Sequence, residues 1–175
     1  MPIVHAQPLR KFSIDLFLAA GVPEDEARIV SDCLVEANLT GHDSHGVLRI
    51  PSYVSAIRKG GLVPGAKIEV YNETATSAKL DGRGGFGQVV MSRGMEMAVA
   101  KSTEGPVGLV TVTDCGHTGQ LSFYAVMAAK QGRIGIVLLG GRRGKVAPYG
   151  GIDGRMYVNA LSIAAPGGSE GLTVL

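Results

Sequence analysis

Apolar positions in the opening third of the chain recur at helical spacing. Over residues 7–20 they fall at Leu9, Phe12, Leu16, Phe17 and Ala20, and Gly21 stands where a helix ends in the left-handed conformation. Pro23 reads as a first-turn proline, and Glu24, Asp25 and Glu26 complement the positive end of the next helix dipole. That helix is predicted over 23–38, with Ala27, Val30, Leu34 and Ala37 as its buried stripe and Gly41 just past its end. A third helix is predicted over 51–59, before Gly60-Gly61. Beyond Pro64-Gly65 the period shortens. Segments 67–71 and 76–81 read as short strands, and 107–113 and 134–141 as buried strands. Helices are expected over 88–102 and 119–131. The rhythm predicts a mixed α/β fold: a helical segment over 1–65, then an α/β region over 66–175 with a mixed sheet. The closing run Leu172-Thr173-Val174-Leu175 reads as a strand cut short, so the sheet is expected to be incomplete; the alternative is a short edge strand that closes the sheet.

Composition narrows the function classes. Of 175 residues, 45% are hydrophobic and 18% charged, a globular balance. A net charge of +2 makes no electrostatic case for nucleic acid or a membrane surface. No apolar run approaches the ~18 residues of a membrane span. The N-terminus lacks the apolar stretch of a signal peptide, and Cys33 and Cys115 form no spaced framework, so a reducing cytoplasm is expected. Glycine, at 26 residues, follows no collagen period and is assigned to turns and close backbone approaches.

Four segments carry candidate chemistry. GHDSHGVLRIPSY (41–53) gathers Ser44, His45, Arg49 and Tyr53 between two helices. If a helical turn covers 45–49, His45 and Arg49 share a face, with Tyr53 one turn on. A guanidinium beside an imidazole suits a 2-oxo acid: one holds the carboxylate, the other supplies a proton to the carbonyl oxygen. The alternative is a helix cap made by Asp43 or Ser44, with the histidines solvated. TDCGHTGQLSFY (113–124) places His117 between a strand end and a helix start, where α/β sheets hold ligands; the alternative is a capping loop. GRGGFG (82–87) has the outline of a dinucleotide fingerprint, but its approach strand TSAKLD is too polar for a central parallel strand, and a glycine-rich turn is the preferred reading. GGRRGKVAPYGG (140–151) carries Arg142, Arg143 and Lys145 in a loop that suits either phosphate or solvent. His42, Asp43, His45 and His117 lack metal-site spacing, and Cys115 has no CxxC partner, so no metal is expected.

In order along the chain, GHDSHGVLRIPSYVSAIRKGGLVPG, DGRGGFGQVVMSRGMEMAV, VTDCGHTGQLSFYAVMAAKQGRIGIVL, VAPYGG and NALSIAAPGG resemble the type 2 malate/L-lactate dehydrogenase family. The family includes ureidoglycolate and sulfolactate dehydrogenases. The resemblance runs from about Leu9 to Leu175. It implies hydride transfer between NAD or NADP and a 2-oxo or 2-hydroxy acid, a homodimer, and a cofactor domain that is not a Rossmann fold. It implies catalytic roles for His45 and His117, leaving open which is the acid/base. It places Ser44, Arg49 and Tyr53 on the substrate side, and Gly141 and Asn159 at the cofactor. The chain departs from the family at Gly140-Gly141, where a polar residue is usual, and at Tyr157-Val158-Asn159-Ala160. Family members are about twice as long, so this chain alone is expected to show little turnover. The alternative function is a non-catalytic relative that binds a partner or dimerises.

Overall fold

The computed structural model describes residues 3–141, 144 and 146–175. Three helices open it: α1 (Ala6–Ala19), α2 (Glu24–Leu39) and α3 (Ile50–Arg58). The stripe predicted on α2 is fully enclosed at Ala27, Val30, Leu34 and Ala37. Burial of a Val or Leu contributes about 1.5–3 kcal/mol, so this face anchors the helical segment. α1 buries less than its spacing suggests: Phe17 is enclosed, whereas Phe12 and Leu16 stay exposed. Pro23 is the N-cap of α2 and not its first turn, with φ −54° and ψ 147°. Gly41 closes α2 at φ 79°. Its N–H donates to the Asn38 carbonyl at 3.1 Å, and the His42 N–H to that of Ala37 at 2.7 Å, the paired bonds of a Schellman ending. No helix among the described residues is long and apolar enough to cross a membrane.

The remaining elements are β1 (Glu69–Tyr71), β2 (Ser77–Gly85), α4 (Gly87–Lys101), β3 (Leu109–Cys115), α5 (Ser122–Ala129), β4 (Gly135–Leu138), β5 (Leu161–Pro166) and β6 (Leu172–Val174). The strands divide between two three-stranded sheets. In the first, β2 lies between antiparallel β1 and parallel β3, with α4 as the crossover. In the second, β5 pairs antiparallel with β4 and β6. The short run LSIAAP that forms β5 was not anticipated.

One expectation needs correction and another is met. The strands read as buried are covered on one side only: Leu109 is 57% exposed, Ile136 57% and Leu138 74%. In β4 the residues alternate, so Val137 meets Tyr124, Ala125 and Ala164 under α5 while its neighbours face outward. A short apolar run does not reveal how many faces are covered. The GRGGFG turn, in turn, is not an open cradle. β2 runs through its first half, with Arg83 and Gly84 at positive φ, and α4 begins at Gly87. A Cβ on Gly87 would collide with the Gly116 and His117 carbonyl oxygens. The N-terminus of α4 therefore faces protein backbone where a pyrophosphate would sit, and β2 is flanked by an antiparallel strand. The Rossmann alternative fails on both counts.

Phe86, between β2 and α4, completes the helical core. It packs edge-on against Phe17, with ring centroids 5.8 Å apart, and against Tyr53 at 6.0 Å. This contact brings the α4 start and the loop after β3 up to α3, where the candidate residues meet.

Candidate active site

The end of α2 organises both loops of the site. Asn38 Oδ1 accepts the Val47 N–H at 2.9 Å, and its amide donates to the Asp43 carboxylate. A Cβ on Gly46 would overlap the Asn38 carboxamide, which explains a glycine in the SHG sequence. The Thr40 hydroxyl donates to Gln120 Oε1 at 3.1 Å and ties the loop after β3 to the same helix end. The continuous helical turn expected over 45–49 does not form. Asp43–His45 and Val47–Arg49 are separate 3-10 turns, broken at Gly46 with φ −85° and ψ −159°. Arg49 is held instead by its own guanidinium, whose Nε donates to the Ser44 carbonyl at 2.6 Å.

His117 enters from the loop after β3. The Gly116 N–H donates to the Gly85 carbonyl at 2.8 Å, and the buried Tyr124 hydroxyl donates to the Thr118 carbonyl, fixing the loop on both sides of His117. The His45 and His117 rings stack with centroids 5.3 Å apart and 28° between planes. The Tyr53 oxygen lies 2.8 Å from His117 Nδ1. Arg49, Ser52, Tyr53, Phe86, Gln88 and His117 line a pocket of about 270 Å³. A larger cleft of about 370 Å³ is edged by Asp25, Glu26, Arg93 and Glu96, holds none of the predicted site residues, and repels a carboxylate by its acidic balance.

Five of the seven predicted residues come together. Arg49, Tyr53 and His117 share the pocket, His45 stands against His117, and exposed Ser44 places its hydroxyl 2.9 Å from His45 Nδ1. Gly141 and Asn159 do not join them. Both are exposed and neither lines the pocket; the Gly141 backbone lies against the Tyr157 ring, where a Cβ would clash. Arg142, Arg143 and Lys145 lie outside the described residues.

Sequence reasoning missed Gln88. It is fully buried in the first turn of α4, and its Nε2 donates to the Tyr53 oxygen at 2.8 Å. A lone carboxamide following the glycine turn and preceding Val89-Val90-Met91 was the available signal.

The electrostatics are those of two neutral imidazoles beside a fixed cation. The packing around His117 pushes its pKa down to about 4, chiefly by withdrawing water, with Arg49 and then His45 adding repulsion, even though part of the residue stays exposed. Burial also lowers His45, with help from Arg49 and His42. Burial pushes the Tyr53 phenol up to about 12. Near neutral pH both imidazoles are uncharged, and Arg49 carries the positive charge of the pocket. Burial raises the Cys33 and Cys115 thiols to about 11, which leaves neither as a nucleophile. Among the described residues no three ligating side chains gather as a metal site.

Comparison with known proteins gives the lineage. The family model for malate/L-lactate dehydrogenase matches residues 4–175. Malate dehydrogenase from Pyrococcus abyssi is 39% identical over 158 residues, covering 90% of this chain and 43% of the relative. Ureidoglycolate dehydrogenase (NAD(+)) from Escherichia coli is 34% identical over 155 residues, 88% of this chain and 44% of the relative. The solved malate dehydrogenase from Pyrococcus horikoshii OT3 superposes with a TM-score of 0.93 at 39% identity, over 98% of this chain and 49% of the other. The chain thus spans about half the length of the relatives it matches, and it belongs to the malate/L-lactate dehydrogenase family.

Proposed function

We propose that this chain forms the substrate side of a nicotinamide-dependent 2-hydroxy acid dehydrogenase. The observation that carries the reading is the convergence of Arg49, Tyr53 and His117 on one small pocket. A 2-oxo acid needs a cation for its carboxylate and a proton for its carbonyl oxygen when a hydride reaches the carbonyl carbon. Arg49 suits the first task, because a guanidinium pairs with a carboxylate through two parallel N–H donors. His117 suits the second. Its Nδ1 is engaged by Tyr53, which leaves the Nε2 edge to meet the substrate oxygen. Residues 1–65 would contribute Ser44, His45, Arg49 and Tyr53, and residues 66–175 would contribute His117 and the cofactor-side positions.

The hydride chemistry belongs to NAD or NADP, and the name of the E. coli relative favours NAD. A pocket of about 270 Å³ has room for a small acid and not for a dinucleotide, and Gly141 and Asn159 stand apart from it. The described residues therefore account for acid binding and proton transfer only. We extend the reading to a cytoplasmic homodimer, supported by the unpaired thiols of Cys33 and Cys115 and by the apolar outward face of β4, Ile136 and Leu138.

The test is a chimera in which residues 1–175 replace the matching half of the P. horikoshii malate dehydrogenase. NADH or NADPH oxidation with oxaloacetate or pyruvate, lost on His117→Ala and weakened at least tenfold by Arg49→Ala, is the expected result. A folded chimera that binds the nucleotide but turns over neither acid would favour a non-catalytic binding module.

A further inference from the structure

The hydrogen-bond chain behind His117 has a direction, and that direction selects the tautomer of the imidazole. Three groups converge on the Nδ1 edge. The Gly119 N–H donates to Nδ1 at 3.3 Å, the Tyr53 oxygen lies 2.8 Å from it, and Gln88 Nε2 donates to the Tyr53 oxygen at 2.8 Å. Hydroxyl and carboxamide positions alone leave two polarities open, because the chain can run from Gln88 to His117 or the reverse. A backbone amide has no such freedom. The Gly119 N–H can only donate, so Nδ1 must carry a lone pair. The Tyr53 hydroxyl must then donate to Nδ1, and its oxygen is free to accept from Gln88. Swinging the ring over would offer both donors a carbon and leave them without an acceptor.

We propose that Gln88, through Tyr53, is a positioning residue that holds His117 as the Nε2–H tautomer, presenting a proton to the pocket. The inference deepens the dehydrogenase reading above and rests on it for its catalytic meaning, but the tautomer is a property of the chain itself. An Nε2–H is a donor matched to a carbonyl oxygen, and as its proton passes to the forming alkoxide the Tyr53 hydroxyl proton moves onto Nδ1, so the imidazole stays neutral and solvent later reprotonates the Tyr53 phenolate. The hydroxyl of a 2-hydroxy acid, which must lose its proton, would need an acceptor there. The resting pocket is therefore set for the 2-oxo acid.

Two further observations fit. Gly119 sits at φ +70°, and a Cβ there would lie 3.0 Å from Cys33 Sγ and 3.3 Å from Gln88 Nε2; glycine lets its N–H reach Nδ1 while the carboxamide stays close. Gln88 is fully buried, and its Oε1 has no partner, so all its bonding to the site runs through the donated proton. Among the described residues, the charged and titratable groups facing His117 are Arg49 and His45, with Tyr53 behind it, and none of them supplies a carboxylate to reverse the chain.

The test is nitrogen-15 NMR of the 175-residue chain with labelled histidine, near neutral pH and without substrate. Long-range nitrogen–proton correlations should show an unprotonated Nδ1 and a protonated Nε2 for His117. Gln88→Leu should leave a mixture. A wild-type His117 protonated at Nδ1 overturns the proposal whether or not the variant folds, as does an unchanged tautomer balance in a folded Gln88→Leu. A correct tautomer with an inactive chimera would leave the relay standing and remove only the dehydrogenase reading.

Discussion

Two glycine turns in this molecule follow parallel strands of one sheet and lead into helices, and they do opposite things. GRGGFG at the end of β2 matches the familiar nucleotide-binding outline, yet its last glycine is pressed against the carbonyls of Gly116 and His117. CGHTG after β3 matches no dinucleotide fingerprint, yet it carries the imidazole that meets Arg49 and Tyr53. In the first turn glycine lets backbone touch backbone. In the second, Gly119 brings an N–H to the His117 ring. What occupies the space before a helix start decides its role, and a glycine pattern does not report that occupant.

The largest effect that would sharpen this contrast is expected at Gly87. Gly87→Val drives a branched side chain into two carbonyl groups, and overpacking of this kind costs about 1–3 kcal/mol or more. The urea midpoint should fall sharply, with displacement of the His117 resonances. A neutral effect would mean that the turn is open after all. Next is Gly119→Ala, where φ +70° and the Cys33 contact together should cost about 1–3 kcal/mol. Its signature is a loss of the Nε2–H tautomer at His117 that Gly84→Ala, also at positive φ but only 3.4 Å from Val63 Cγ2, does not share.

A smaller effect concerns acid. The folded pKa of His117 is pushed below the usual histidine value to about 4, so on acidification the unfolded chain takes up this proton first. The His117 contribution to stability should be intact above about pH 6.5 and decline as the pH falls from there towards 4. Urea titrations of wild type and His117→Phe over that window should converge in slope at neutral pH and separate below it. Identical pH dependence would contradict the environment described for this ring.

The helical part of the fold was legible because each signal was local. Ala27, Val30, Leu34 and Ala37 share one face of α2, and Gly41 ends it by its own conformation. His45, Arg49 and His117 could be named because their loops adjoin a helix start or a strand end, where ligands are held, and the family resemblance ordered them. Their geometry was not legible. Arg49 reaches Ser44 through a backbone carbonyl across a broken turn, a contact no periodicity encodes. Gln88 was hidden because a buried carboxamide looks like any polar position on a helix until its partner, 35 residues away, is known. The exposed faces of β3 and β4 were missed because Ile136 and Leu138 look as apolar as Val137 in a run of four.

The central claim is that Arg49 and His117 hold one 2-oxo acid between them. Titration of the histidine-labelled chain with pyruvate tests it most directly, because it needs neither cofactor nor turnover. The account predicts a saturable shift at His117, a smaller one at His45, and at least tenfold weaker binding in Arg49→Ala, equivalent to about 1.4 kcal/mol or more. No shift at His117 under saturating pyruvate, or an equal affinity in Arg49→Ala, would contradict it.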